Sequence, residues 1–553
     1  MRIPALSGQL LVAFFLSLTV LVGLIGWYEN VNIITGNGLY KAIEAEPWIS
    51  DFRHARLNAS NYLYFPLYGA LAHLLDTFGI MPGLAFKQFA YLNAFFASLA
   101  VVCIYAFVHR LTGSVLAAAL AALFHFGTGF FLLLAVISED IMPGYFLVLA
   151  SMLLAGLWFG RPSWRQIVVV SVIFTLGWMV EWRLMFPTLP ALGLALLVSE
   201  GSRRTRLARA ALLVVSVVAT AGIVQQIWEG HNGAMGLPDL LWTGKAVDSA
   251  WAGISWNKAW MMLSGVGNYF LILGGFVDPL SAERAMWPLL FSMLLQAAIF
   301  ATCAILLWPR RDDPRLRATA IVFLGTLGAG QVMNFYSQPQ DPQMQINVMP
   351  WLTVAWALLV AATLSRRREV WPIFVVLALV PFAWNAAALS KWRGGDTAAI
   401  ASLAAIERTL PPDRTVFVYW GFEPITTWQY MLWSRTPDWG AGVTAGPAPT
   451  AEPKFKWISI NTGTFRHPQW TAAEDAKALK RQIDAAFQLG YRVVISSLWE
   501  WDVRELAGQL GVMSAANRAP ALYAALHDTY DAAPVLNDPF AGTYYELRSK
   551  SSR

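Results

Sequence analysis

The sequence predicts an α-helical polytopic membrane protein of about eleven TM helices with a C-terminal soluble α/β domain. Three observations predict this class: a mean hydropathy of +0.48, 57% hydrophobic against 13% charged residues, and apolar runs of about 20 residues between short basic loops. The formal charge of +6 comes from these loops. It therefore indicates orientation in the bilayer and does not predict a nucleic-acid partner.

The apolar runs are the predicted membrane helices. They lie near residues 8–27, 88–108, 114–136, 141–160, 166–180, 184–199, 210–227, 286–308, 318–336, 350–364 and 371–390. The first run lacks an Ala-x-Ala cleavage pattern, so we predict a retained first span and no signal peptide.

The arginines predict the orientation of these helices. With a cytoplasmic N-terminus, the basic loops all fall on one side, and the short loops of opposite parity carry at most one arginine. The basic loops hold Arg110, Arg161, Arg165, Arg203, Arg204, Arg206, Arg209, Arg310, Arg311, Arg315, Arg317, Arg366, Arg367 and Arg368. Residues 260–276 contain several glycines, and counting them as a twelfth span would split these clusters between two sides, so we predict an interfacial or re-entrant helix there.

Two domains follow from this pattern. Residues 1–391 form the transmembrane domain with outer loops 28–87 and 228–285, and residues 392–553 form a periplasmic or extracytoplasmic α/β domain. Within the second domain the patterns predict helices at Asp396–Leu410 and Ala472–Leu489 and strands at Thr415–Trp420, Tyr491–Ser496 and Thr543–Leu547.

The first outer loop holds an acid beside bases and aromatic residues. Asp51 precedes Arg53 and His54, and Tyr64 follows in an aromatic stretch. A carboxylate in a partly desolvated site can take a proton from an attacking hydroxyl, so Asp51 is a candidate general base. The alternative is an ordinary solvated loop acid.

The second outer loop places Glu139 and Asp140 next to each other between two membrane helices. Acids at this depth are costly and often functional, and their oxygens suit a divalent metal such as Mg or Mn, or a sugar hydroxyl. The alternative is an acidic turn that caps the following helix.

Cations on the outer side are few. Lys87 and Arg183 are candidates to hold an anionic lipid head group, because an arginine fork binds phosphate in a bidentate manner. The alternative for Arg183 is a surface ion pair with Glu181.

A loop rich in amides lies before the tenth predicted span. Gln340, Gln343 and Gln345 both donate and accept hydrogen bonds, as the hydroxyls of a sugar require. A polar loop without a ligand is the alternative. His231, and the segment 420–428 with its tryptophans and Glu423, are further candidates, although a lone histidine or an aromatic strand is more often structural.

This arrangement resembles the GT-C superfamily of membrane glycosyltransferases, which includes aminoarabinose transferases and protein O-mannosyltransferases. The features that carry the resemblance are an inside N-terminus, Asp51 shortly after span one, Pro66-Leu67-Tyr68 entering the next helix, Glu139-Asp140 in a short outer loop, and a C-terminal domain outside.

The resemblance implies an inverting glycosyltransferase. Its donor would be a polyprenyl-phosphate sugar, its acceptor an extracytoplasmic glycan, lipid or protein, and its location the bacterial inner membrane. Asp51 would be the base, Arg183 or Lys87 would hold the leaving phosphate, and Glu139 with Asp140 would bind a metal or position a sugar. A lipid or glycan transporter, an O-antigen ligase or polymerase, and a non-catalytic assembly subunit are the alternatives.

Overall fold

The structure is a computed structural model. It describes residues 3–29, 63–80, 85–181, 185–232, 256–272, 286–307, 312–336, 350–391, 393–411, 414–420, 456–460, 469–512 and 515–550, with residues 45, 309, 345, 346 and 467. Helices make up the first part of the chain. Their bounds are α1 Ile3–Tyr28, α2 Tyr64–Thr77, α3 Ala85–Thr112, α4 Val115–Gly127, α5 Gly129–Val136, α6 Ile141–Trp158, α7 Trp164–Val180, α8 Met185–Leu197, α9 Arg203–Asn232, α10 Trp256–Phe270, α11 Met286–Leu307, α12 Pro314–Tyr336, α13 Pro350–Leu364 and α14 Trp371–Ser390.

The chain is an integral membrane protein. In the described residues six helices are long and apolar enough to cross a bilayer, and α4 with α5 gives a seventh if the bent pair is one span. Four shorter apolar helices lie in the remaining predicted runs. The predicted class, a helical membrane protein with a C-terminal α/β domain, is confirmed.

The predicted run 114–136 is not one straight helix. It breaks after Gly127, and α4 and α5 meet at a bend of 69°. The amide nitrogen of Asn385 donates to the carbonyl of Gly127 at 2.7 Å and to that of Phe270 at 3.1 Å. The Asn385 oxygen accepts from the backbone of Ile272 at 2.8 Å. The bond to Gly127 satisfies a carbonyl at the break, which is how membrane proteins tolerate broken helices, and the other two bonds hold the end of α10.

The segment with several glycines, predicted to be interfacial or re-entrant, contains α10. This helix is not among those that meet the length and hydropathy of a crossing. Its end is nevertheless buried in the bundle, since Tyr269 and Phe270 are almost fully enclosed.

The C-terminal domain is built on a five-stranded sheet in the order β2-β1-β3-β5-β4. The central strand β1 pairs in parallel with β2 and β3, and β5 is antiparallel to β3 and β4. Its elements are α15 Gly395–Thr409, β1 Thr415–Tyr419, β2 Lys456–Ser459, α16 Ala472–Gln488, β3 Arg492–Ile495, α17 Val503–Val512, α18 Ala519–His527, β4 Tyr530–Asp538 and β5 Gly542–Ser549.

The two faces of the sheet bury different neighbours. Val416 and Val418 of β1 pack with the helices of the domain, whereas Phe417 and Tyr419 belong to the cluster that continues into the membrane helices. This alternation is the period of two that a strand imposes. At the junction, the backbone N–H of Gly394 donates to the carbonyl of Tyr28 at 2.9 Å.

A buried ion pair joins two helices of the domain. Arg518 donates to a carboxylate oxygen of Asp475 at 2.9 Å and to the carbonyl of Trp470 at 2.8 Å. The two charged side chains are only 7% and 3% exposed. Removing one partner of a buried ion pair is strongly destabilising, because the other charge loses its counter-ion.

We expect Arg518→Ala to lower the free energy of unfolding of the C-terminal domain by about 3–5 kcal/mol, because Asp475 loses its cation. Faster hydrogen exchange in peptides from α16 and α18 of the purified full chain would measure this loss. Arg161→Ala, which removes an exposed ion pair with Glu200, is the control and should leave that exchange unchanged. Equal exchange in the Arg518→Ala variant and wild type would contradict the prediction.

Candidate functional site

The acidic turn between α5 and α6 is buried. Ser138 and Glu139 are fully enclosed, and Asp140 is 2% exposed. Asp140 stands at the cap position of α6, yet its side chain makes no capping hydrogen bond. Its charge nevertheless lies at the positive end of α6, so the alternative of an acidic turn at the start of this helix stays open.

Asn93 of α3 holds the backbone of this turn. Its amide nitrogen donates to the carbonyls of Ile137 and Glu139, both at 2.7 Å. Its amide oxygen accepts a hydrogen bond from the hydroxyl of Tyr68. Asn93 is fully buried, so these bonds fix the turn from inside the bundle.

A third buried acid, Glu181, follows the end of α7 and is 1% exposed. Gly144 in the first turn of α6 allows this approach, because a Cβ there would lie 2.5 Å from the Cβ of Glu181. Gly177 likewise lies against Val148, where a Cβ would come within 2.9 Å. The close packing of α6 and α7 therefore brings Glu181 beside the acidic turn. Glu181 is therefore a buried acid, and its predicted partner Arg183 lies outside the described residues.

Tyr64, at the start of α2, lies near these three acids. Burial raises the pKa of its hydroxyl well above the ordinary value, the neighbouring Tyr68 raises it further, and the charges of Asp140, Glu139 and Glu181 add to the effect. The phenol therefore stays protonated. No hydrogen-bond partner for this buried hydroxyl lies among the described residues, so it can donate to a ligand.

Aromatic packing and one backbone bond position Tyr64. Its ring stacks on Tyr68 at 4.4 Å and meets the edge of Phe89 at 6.1 Å. The N–H of Leu63 donates to the carbonyl of Met179 at 2.8 Å, which ties the start of α2 to the end of α7. The structure thus brings together three of the predicted site residues, Tyr64, Glu139 and Asp140.

The oxygen donors of Glu139 and Asp140 have the chemistry that Mg or Mn prefers. Within the described part of the chain, however, no group of three His, Cys, Asp or Glu side chains is arranged to hold a metal ion. A cation bound by this pair would need further ligands from a substrate, from water or from residues beyond the described ranges.

A buried cation lies in α10, inside the predicted outer loop 228–285. Lys258 is 3% exposed, and its ammonium group donates to the carbonyl of Tyr336 at the end of α12 at 2.8 Å. Burial lowers the pKa of Lys258. Lys258 lies two residues before the predicted interfacial or re-entrant helix 260–276, and no pattern in the sequence singled it out.

The predicted cation Lys87 lies in the first turn of α3 and is half-buried. Gln345 is fully buried, and its amide oxygen accepts from the side chain of Gln331 of α12 at 2.6 Å.

The prediction that placed His231 in a loop is wrong, because the helix α9 includes His231 and continues to Asn232.

The remaining predicted site residues lie outside the described residues. These are Asp51, Arg53, His54, Arg183, Gln340 and Gln343, and the candidate segment 421–428 with Glu423.

Asn93 holds the acidic turn, Lys258 bonds to the end of α12 and Gln331 bonds to Gln345, and none of the three was singled out from the sequence. Asn93 carried a usable signal, since a polar amide in the middle of an apolar membrane helix is unusual and needs a partner. Gln331 carried the same signal in α12.

No protein-family model matches the sequence, and no curated protein matches it either. Solved structures do match. The oligosaccharyltransferase of Archaeoglobus fulgidus, solved with Zn and sulfate, aligns with a TM-score of 0.53 and 13% identity over 96% of this chain and 72% of that one. ArnT from Cupriavidus metallidurans bound to undecaprenyl phosphate aligns with a TM-score of 0.42 and 16% identity over 98% of this chain and 97% of that one. The apo form of that ArnT gives the same values.

We expect Gly144→Ala to force α6 and α7 apart, because the new methyl group would overlap Glu181. The overpacking should cost about 1–3 kcal/mol and lower the thermal unfolding midpoint, followed by tryptophan fluorescence in detergent. Gly193→Ala is the matched control, since a Cβ at Gly193 in α8 meets nothing within 4 Å. If both variants unfold at the same temperature, the close approach of Glu181 to α6 is wrong.

Proposed function

We propose, on the premise that the chain has the GT-C fold, that it is an inverting glycosyltransferase. It would move a sugar from a polyprenyl-phosphate carrier to an extracytoplasmic glycan, lipid or protein acceptor. The observation that carries the proposal is the buried acidic turn Glu139-Asp140, fixed by Asn93 at the start of a membrane helix. Buried charges in a bundle are retained where they bind or react with something.

A carrier lipid fits the position of this turn. A site enclosed by membrane helices can be reached by a donor that diffuses within the bilayer. The leaving group would then be a lipid phosphate, whose negative charge needs a cation. Arg183 and Lys87 are the predicted cations, and buried Lys258 is a third.

The reaction we propose is a single displacement. Asp51 takes the proton from an acceptor hydroxyl while that oxygen forms a bond to the anomeric carbon of the sugar. The bond between the anomeric carbon and the phosphate oxygen breaks, and its electron pair leaves with the lipid phosphate. The configuration at the anomeric carbon is therefore inverted.

The described residues would position the sugar. The Tyr64 hydroxyl is a neutral donor among three carboxylates, and carboxylates accept from sugar hydroxyls. Gln345, with the predicted Gln340 and Gln343, would offer amides to the same sugar, and Arg53, His54 and His231 are further proposed contacts. A divalent Mg or Mn ion held by Glu139 and Asp140 would neutralise negative charge on the donor.

We propose that the protein lies in the bacterial inner membrane with its C-terminal domain on the outer face. The arginine-rich loops support this orientation, because they fall on one side when the N-terminus is cytoplasmic.

A lipid or glycan transporter is the second candidate. The broken pair α4 and α5, with its 69° bend, favours it, since transporters use broken helices beside buried polar groups. A transporter would move a labelled lipid-linked sugar across a bilayer without breaking the bond between sugar and phosphate.

The first experiment offers purified protein in lipid a panel of radiolabelled polyprenyl-phosphate sugars with membrane extract as acceptor. We expect wild type to transfer sugar and Asp51→Asn to lose transfer while it stays folded and binds donor, because the amide cannot take the proton. Asp528→Asn, an exposed acid in the C-terminal domain, is the matched control and should be active.

Transfer that survives in Asp51→Asn would place the base elsewhere, first at Glu139 or Asp140. An absence of transfer from every donor, with labelled lipid moved across the bilayer, would favour the transporter.

Metal dependence is a separate expectation. If Glu139 and Asp140 hold a divalent cation, EDTA should abolish transfer, and Mg or Mn should restore it. Glu139→Gln should raise the Mn concentration needed for restoration, and Mn titration followed by electron paramagnetic resonance should show weaker binding. If EDTA does not affect transfer, the reaction needs no divalent cation, and the two acids would instead bind sugar hydroxyls.

A further inference from the structure

The C-terminal domain has a crevice of its own. The chain runs from β1 to β2 on one side and then crosses to β3 on the other side of β1. In open α/β sheets, such a reversal of strand order leaves a crevice at the carboxyl ends of the strands, where ligands bind. Trp420 directly follows β1, and a 3₁₀ turn at Ser497–Glu500 follows β3, so both lie at this edge.

The turn after β3 is held rigidly. The N–H of Ser496 donates to the carbonyl of Val418 at 3.3 Å, and the Ser496 hydroxyl accepts from the N–H of Leu498 at 3.4 Å. Gly542 at the start of β5 packs against the turn: a Cβ at this position would lie 3.3 Å from the Cβ of Ser497. Its φ of 82° is also one that favours glycine. Side chains on this turn are therefore displayed in fixed positions.

Three consecutive residues on and after the turn are each oriented by a neighbour. Trp499 stacks on His527 at 3.9 Å. Glu500 accepts a hydrogen bond from the hydroxyl of Tyr545. Trp501 packs against Trp420 with ring centroids 5.7 Å apart and planes at 50°. Trp420 and Trp501 are both half-buried, and Glu500 is exposed.

We propose that Trp420, Trp501 and Glu500 form a binding site for a neutral saccharide. The apolar C–H face of a pyranose stacks on an aromatic ring, and two tryptophans at an angle present such faces to adjacent sugar units. The carboxylate of Glu500 accepts hydrogen bonds from neighbouring hydroxyls, which are stronger when the acceptor is charged.

The surrounding charge selects against anionic sugars. Asp502 and Glu505 are exposed beside Glu500, and Arg504 is the one exposed cation in this described segment, residues 499–506. An acidic rim repels uronic or sialic acids and tolerates neutral hexoses. The site is independent of the reaction proposed above. If both hold, the site would bind the acceptor glycan outside the membrane bundle.

The test measures binding to the full-length protein in lipid nanodiscs and does not use activity. Cellotetraose, mannotetraose, chitotetraose and tetragalacturonate are titrated by calorimetry and by saturation-transfer NMR. We expect at least one neutral tetrasaccharide to bind and tetragalacturonate not to bind. Trp501→Ala should weaken binding about tenfold, with less loss in Trp501→Phe, and Glu500→Gln should weaken it without removing the NMR signal of the stacked ring protons.

Trp470→Ala is the control, because Trp470 stacks on His467 at 3.9 Å elsewhere in the same domain. It should bind as wild type does. If Trp501→Ala fails to fold, Trp501→Phe replaces it as the variant that tests the stacking contact. The proposal is overturned if no neutral tetrasaccharide binds, if tetragalacturonate binds best, or if binding is the same in wild type, Trp501→Phe and Glu500→Gln.

Discussion

The structure depends on the hydrogen bonds that Asn93 makes inside the bundle. Burying the turn Ser138–Asp140 removes its backbone and two carboxylates from water, at a cost of several kcal/mol for an unsatisfied charged site. Asn93 binds the carbonyls of Ile137 and Glu139 at once, and Tyr68 in turn binds Asn93. Backbone carbonyls of the turn are therefore satisfied from α3.

Close helix packing supports this turn from both sides. Gly144 and Gly177 let α6 and α7 approach until the backbone of Glu181 reaches the first turn of α6. On the other side, Asn385 of α14 binds both the broken end of α4 and the end of α10. The short helix α5 is therefore fixed at its start by Asn385 and at its end by Asn93. Within a bilayer the hydrophobic effect does not drive helices together. Small residues that allow close packing and buried amides that form hydrogen bonds between helices stabilise the bundle in its place.

The C-terminal domain is joined to the bundle through one face of its sheet. Phe417 and Tyr419 continue the hydrophobic cluster of the membrane helices, and Val416 and Val418 face the helices of the domain. A backbone bond from Gly394 to Tyr28 and the contact of Arg393 with the ring of Trp27 at 5.4 Å close the junction. The sheet edge with Trp420 and Trp501 packs with the domain's own core cluster and not with the cluster of the membrane helices.

The sequence by itself determined the membrane helices and the fold class. The length of an apolar run and the distribution of basic residues between loops are local properties of the chain, and they decide which segments cross the bilayer and in which orientation. It also singled out Glu139, Asp140 and Tyr64, and it predicted β1, β3 and β5 from runs of apolar and β-branched residues. It missed β2, a strand of only four residues, and β4, whose Pro534 and flanking acids give no strand signal until β5 supplies the hydrogen bonds. Only the tertiary structure decided that the run 114–136 bends, that Glu181 is buried, and that Asn93 holds the acidic turn. Each of these depends on contacts between residues far apart in the chain, which no local pattern encodes.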